Sequence, residues 1–132
     1  MVEIPERLQY LLKWETRAFA FLALTLKDGS PQVTPIWFDW DDGQIIINTA
    51  RGGVKDKALK RRARVALAIA DMNDPYTYLQ IRGRVVSEAE AGGYEMICKL
   101  NEKYHGDRNY PQRPGEVRVT YHLEPETVFP KK

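Results

Sequence analysis

Apolar residues recur along most of this chain at every second position, and only in short stretches at every third or fourth. The opening is one of those stretches. Ile4, Leu8, Leu11 and Leu12 fall at helical spacing, and Pro5 suits a first helical position, where its missing N–H has no partner to lose. A short helix is predicted from about Pro5 to Lys13. Strand patterns follow. Ala18 to Leu26 is almost wholly apolar and predicts a strand buried on both faces. Asp28-Gly29 makes a turn into Gln32 to Trp40, where Pro35 has no N–H for a ladder and marks an edge or a bulge. Asp42-Gly43 is a second hairpin signal, leading into Gln44 to Ala50. Three strands joined by two tight turns predict an antiparallel meander.

From Val54 to Arg64, Lys, Ala and Leu replace the β-branched residues, and a basic helix is predicted, opened by Gly52-Gly53. Val65 to Ala70 returns to strand. Tyr76 to Val86 is a long strand with Leu79, Ile81 and Val85 on one face and Tyr78, Gln80, Arg82 and Arg84 on the other. Ser87 with Glu90 has the spacing of a capping box and predicts another helix, with Tyr94, Ile97, Leu100 and Tyr104 as its stripe and Gly106 as its stop. Gly92-Gly93 weakens its first turn. Val117, Val119, Tyr121 and Leu123 alternate as a last strand. Strands and hairpins dominate, so the fold class is mainly β with short helices, as a closed or partly closed antiparallel barrel.

Length and charge narrow the classes. With 132 residues the chain is expected to be a single domain, 1–132. Twenty Lys and Arg against 18 Asp and Glu give a net charge of +2, too balanced to imply nucleic acid without a local cluster. The one cysteine, Cys98, excludes an internal disulfide and an all-Cys metal site, and packs as a small hydrophobe. Cys98, His105 and His122 match no metal-ligand spacing, so no metal is expected. The run Ala18 to Leu26 is about half of a membrane span. An acidic start with no apolar segment behind it, Met1-Val2-Glu3, argues against a signal peptide, and a cytoplasmic location is expected.

The segment with most chemistry is Asn48 to Lys57, between a strand and a helix. From Arg51 to Arg64 there are seven basic residues (Arg51, Lys55, Lys57, Lys60, Arg61, Arg62, Arg64) and one acid, Asp56. Two glycines let the backbone approach a ligand, and a helix start offers free N–H groups and a positive dipole end. Thr49 and Lys55 add a hydroxyl and a point charge. Together they suit a phosphate, although a solvated basic helix face explains the same charges. Walker-loop spacing is absent. Pro35 in turn frees neighbouring backbone groups for a ligand, or simply protects a sheet edge. Trp14, Trp37 and Trp40 are assigned to the core or an interface. The loop Tyr104, His105, Arg108, Asn109, Tyr110 is a candidate substrate wall or a solvated loop.

Leu24-Thr25, then Asp28-Gly29-Ser30-Pro31-Gln32-Val33-Thr34-Pro35-Ile36-Trp37-Phe38, resembles the opening hairpin of the pyridoxamine 5′-phosphate oxidase-like split-barrel family. Asn48-Thr49-Ala50-Arg51-Gly52, Lys55, Leu59 and the run from Arg61 to Leu67 resemble its phosphate-binding strand and helix. Asp74-Pro75-Tyr76 and Gly83-Arg84-Val85 resemble its later long strand. The three stretches fall in order over residues 15–90, and the chain is most similar to small members that use the deazaflavin coenzyme F-420, with FMN users nearby. The resemblance implies a six-stranded antiparallel split β-barrel that forms a homodimer, with the cofactor at the dimer interface. By the same resemblance, Thr49 and Lys55 match phosphate-contacting positions and Lys57 a position usually basic. Val33, Thr34, Pro35 and Ile36 match the stretch along the ring, and Tyr78 and Gln80 reach the groove from the partner subunit. Val54 stands where an Arg commonly precedes the phosphate Lys, with Arg51 the candidate for the missing charge. Ala58 stands where many deazaflavin users have Asn. In vitamin B6 oxidases the substrate phosphate is held by a longer C-terminal section that this chain is expected to lack, so that reaction is not expected.

The expected function is that of an oxidoreductase that binds F-420 or FMN non-covalently and transfers hydride to or from a small organic substrate, the catalytic residues being unassigned. The alternatives are a non-catalytic flavin or haem carrier on the same fold, and a nucleic-acid-binding barrel. The last is disfavoured because the basic run lacks interleaved aromatics for base stacking. The expected partners are therefore a small-molecule substrate and a second copy of the chain, not nucleic acid or a membrane.

Overall fold

A computed structural model describes residues 2–61 and 64–132. Met1, Arg62 and Ala63 lie outside the described residues, and with them that part of the basic run and the predicted helix. The chain opens with two 3-10 helices, Glu6–Leu12 and Trp14–Thr16. The strands are β1 Phe19–Thr25, β2 Pro31–Ile36, β3 Asp39–Asp41, β4 Gln44–Ala50, β5 Arg64–Asp71, β6 Asp74–Ala89 and β7 Arg118–Phe129. Two α-helices interrupt them, α1 Val54–Arg61 and α2 Gly93–His105.

All seven strands join one antiparallel sheet in the order β2-β1-β5-β6-β7-β4-β3. The expected count of six rises to seven because Gln32 to Trp40 is not one strand. Its first part pairs with β1 and its last part, β3, pairs with β4. The expected meander is overturned with it: β2 and β4 are not neighbours, and only Trp37 and Phe38 lie between the two edges of the sheet. Ile36 and Asp39 are three residues apart, a span of about 11 Å at most, so the sheet curls until its edges nearly meet. Pro35 sits on an edge strand, as its missing N–H requires.

The alternating faces of the strands make the core. Leu22, Leu24, Ile45, Ile47, Leu67, Ile69, Leu79, Ile81, Val119, Tyr121 and Leu123 are buried together, and Leu8 and Leu11 of the first 3-10 helix plug the same cluster. At about 0.8 kcal/mol per buried CH₂, this cluster is the main favourable term of the fold. β1 alternates buried and half-buried positions rather than being buried on both faces, since its Phe19, Phe21 and Ala23 side look outward.

The second helix starts later than Ser87 and Glu90 predict. Ser87, Glu88 and Ala89 stay in β6 and pair with His122, Tyr121 and Thr120 of β7. A continuing ladder satisfies more backbone groups than one cap. Gly92, with φ 77°, precedes α2 instead, and Gly106, with φ 91°, ends it as expected. Gly93 is not merely a weak start, because a Cβ there would lie 2.1 Å from the Arg118 carbonyl oxygen. Glycine is what lets α2 lie against β7. Arg64 belongs to β5, and Val117 is exposed outside β7.

Candidate functional site

A groove of about 450 Å³ opens where the edge strand β2, the end of β4, the start of α1 and the α2–β7 loop meet. Pro35, Ile36 and Trp37 form one wall, and Asn48, Thr49 and Ala50 form the floor. Lys55 closes one side, with Ile97 and Leu100 behind. Tyr110, Arg113 and Glu116 come from the loop opposite, and Arg118 from the start of β7. The local sequence dictates this layout. β4 must stop at Ala50 because Gly52 takes φ +90°, which a residue with a Cβ rarely adopts, and open space surrounds the site of that missing Cβ.

The turn into α1 is braced. Asp56, the third residue of the helix and 2% exposed, accepts from the Gly52 N–H at 2.8 Å, from the Arg51 guanidinium at 2.8 Å and from the Tyr121 hydroxyl at 2.5 Å. Burial alone would push its carboxyl up. Gly52, Tyr121 and Arg51 outweigh that and hold it below the usual carboxylate range. Burial in turn raises the Tyr121 hydroxyl, helped by Asp56. Arg51 also donates to Glu88 at 3.1 Å, at the far end of β6, and to Glu90 at 2.9 Å, just beyond it. Beyond the brace, the first-turn N–H groups of α1 lack intrahelical partners, as at any helix start, and they stand beside Lys55. A helix start beside a lysine is an arrangement that can hold an anion.

The opposite wall is aromatic. The Trp37 ring stacks on Tyr104 at 5.2 Å between centroids and meets His105 and Tyr110 edge-on. Tyr104 is held in place by donating to the Ala18 carbonyl at 2.6 Å and accepting from the Phe38 N–H at 3.3 Å. Burial raises its hydroxyl well above the usual range. Lys103, 1% exposed, donates from Nζ to the Phe38 carbonyl at 2.7 Å. On the floor, Asn48 donates to the Gly93 carbonyl and accepts from Arg118 Nε at 2.8 Å, so Arg118 is already engaged. The groove thus offers a cationic end, a flat aromatic wall and, along the edge strand β2, backbone groups that face away from β1. Those features suit an elongated ligand with a phosphate at one end and a planar, partly polar ring at the other.

The structure brings together Pro35, Ile36, Thr49 and Lys55 from the predicted set. Val33, which is 63% exposed, and Thr34 lie on the same strand outside the lining. Lys57, two residues on in α1, is exposed and outside the lining. Arg51 faces three carboxylates rather than the groove. Tyr78 packs near Phe129 at 6.4 Å and Gln80 is exposed on β6, both away from this groove within one chain. Sequence reasoning gave Asn48 no role of its own, missed Arg113 and Arg118, and placed Trp37 in the core or an interface. One signal was legible: Asn48 is the first polar residue after Ile45-Ile46-Ile47, on the face opposite Thr49. Cys98 is buried, as a small hydrophobe should be.

A larger hollow, about 680 Å³, lies between the 3-10 helices and β3, lined by Leu12, Trp14, Asp39 and Trp40 among others. Its buried carboxylate, Asp39, is already bridged to Lys99 at 3.4 Å, and the helix start that lines it, Lys13 to Glu15, opens only a three-residue 3-10 turn. The smaller groove is the one that gathers the predicted residues Pro35, Ile36, Thr49 and Lys55. Among the described residues, no group of three His, Cys, Asp or Glu side chains is placed to hold a metal ion, and no helix is long and apolar enough to cross a membrane.

A family model described as Pyridoxamine 5′-phosphate oxidase matches residues 4–132. Among solved structures, an F-420 reductase superposes with a TM-score of 0.84 at 29% identity, over 98% of this chain and 100% of that one. General Stress Protein 26 from Bacillus anthracis gives 0.67 at 14%, over 94% and 90%. HupZ of Group A Streptococcus gives 0.67 at 18%, over 96% and 93%. Both of the latter show the shared fold. No curated protein matches the chain.

Proposed function

The chain belongs to the pyridoxamine 5′-phosphate oxidase family, and from that premise we propose that it is an oxidoreductase that binds F-420 or FMN non-covalently in the groove. The observation that carries this reading is the convergence of Lys55 and the α1 start with the edge backbone of Pro35 and Ile36 in one groove. The likeness to an F-420 reductase along the whole of both chains supports the deazaflavin as the first candidate. When bound, such a ring supplies hydride transfer to or from a small organic substrate.

The protein's own part is binding and orientation. Lys55 and the α1 N–H groups hold the phosphate, and Thr49 adds a hydroxyl. Trp37 closes one side against water. Outward backbone groups of β2 meet the polar edge of the ring. Exposed apolar side chains at Met72, Tyr76 and Phe129 support a homodimer that covers them.

Titration of the protein with F-420 and with FMN, followed by fluorescence, tests the reading. Binding of one of them tighter than about a millimolar Kd is expected, and failure of both refutes it. Turnover separates an enzyme from a carrier: an enzyme reoxidises the reduced bound cofactor with substrate faster than buffer does.

A further inference from the structure

In sequence, Arg51 is a cation poised for the phosphate. In the structure, its guanidinium is spent on Asp56, Glu90 and Glu88 at 2.8, 2.9 and 3.1 Å. Of those three partners only Asp56 is buried, and only Asp56 reaches back to the Gly52 N–H that shapes the turn. Asp56 also lies within the first turn of the helix whose start forms the cradle, so its charge stands about one helical turn, or 5 Å, from any anion held there. Left alone, that carboxylate opposes both the helix dipole and Lys55.

We infer that Arg51 acts on a bound phosphate through Asp56, as a positioning residue: it cancels the buried carboxylate that braces the Gly52 turn and leaves the cradle net positive. Asp56 is needed for geometry, since three donors from the turn, β7 and Arg51 converge on it, but its charge is a liability beside an anion. Arg51 removes the liability without touching the ligand. This rests on the reading of the groove as the seat of a flavin or deazaflavin phosphate. A direct phosphate contact predicts the opposite behaviour, because breaking the Asp56 pairing then frees Arg51 for the ligand.

The test is the ratio of affinities for a phosphorylated and a phosphate-free ligand: FMN against riboflavin, and F-420 against its phosphate-free deazaflavin chromophore. General loss of stability lowers both members of a pair and leaves the ratio alone. Arg51→Met is expected to cut the ratio about tenfold or more, the scale of a lost charged interaction. Adding Asp56→Asn, which keeps an acceptor for Gly52 but no charge, is expected to return it to within about threefold of wild type, because additivity fails for such a coupled pair. A double variant as poor as Arg51→Met, or worse, overturns the inference.

The variant Glu88→Gln with Glu90→Gln lies at exposed positions and guards against misfolding of the others. It frees Arg51 from two partners while Asp56 stays, and a ratio within about threefold of wild type is expected, as for weak surface pairs. A tenfold rise shows Arg51 reaching the phosphate itself and overturns the inference. A wild-type ratio near one removes the phosphate reading, and the inference falls with it.

Discussion

Raising the pH from 7.5 to 9.5 should stabilise this protein, and Lys103 is the reason. Its side chain ends among Phe38, Tyr104 and Trp14, with Nζ 4.2 Å from the Phe38 ring centre and 2.7 Å from the Phe38 carbonyl oxygen. Burial pulls its ammonium down from 10.5 to about 8, against a smaller upward pull from Asp39 and Glu15. An unfolded chain keeps that proton until about pH 10.5, while the folded one releases it near 8. Between those values the unfolded state binds more protons, so stability rises with pH. The whole shift corresponds to about 3 kcal/mol, of which about 2 kcal/mol falls between pH 7.5 and 9.5. Tyrosines set the upper limit of the window. The hydrogen bond to Asp71 pushes the Tyr10 hydroxyl up to about 12, and burial raises those of Tyr104 and Tyr121 as well, so the folded state holds these protons longer and stability falls above pH 10. Urea unfolding at steps across the window reads the effect, and the midpoint should climb by about 1 M. Lys103→Met keeps the volume and removes the titration, so its midpoint should stay level. A wild-type midpoint that falls over the window, or a Met variant that climbs equally, refutes the reasoning.

Three further outcomes are expected. Lys55→Ala should weaken a phosphorylated cofactor by about ten- to a hundredfold, while Lys60→Ala, further along α1, changes little; equal small effects in the same titration return the segment to a solvated face. Gly93→Ala forces a Cβ against the Arg118 carbonyl and should cost about 1–3 kcal/mol or more, visible as a lower Tm, whereas Gly53→Ala meets only a 3.4 Å contact and costs less. Light scattering at micromolar concentration should give a dimer mass; a monomer that binds cofactor at full affinity counts against a site completed by the partner.

Much of the fold was legible because local patterns there agree with the tertiary outcome. Two-residue periodicity placed β6 and β7, the Asp42-Gly43 turn placed β4, and the apolar Leu8 and Leu11 placed a turn of helix in the core. The layout beside the groove was legible too, since a strand, two glycines and a basic helix are contiguous in sequence, and contiguity settled where Thr49 and Lys55 stand. Tertiary structure decided what long-range pairing decides. Trp37 and Phe38 look like the middle of one strand until β2 and β3 take partners at opposite edges of the sheet. Ser87 looks like a cap until β7 offers β6 three more ladder positions. Arg51 looks like a free cation until chain folding brings Glu88 and Glu90, more than 35 residues away, to its guanidinium. A charge's sign is written in the sequence; whether that charge is already answered depends on which distant groups the fold carries to within about 3 Å of it, since Coulomb interaction falls with distance.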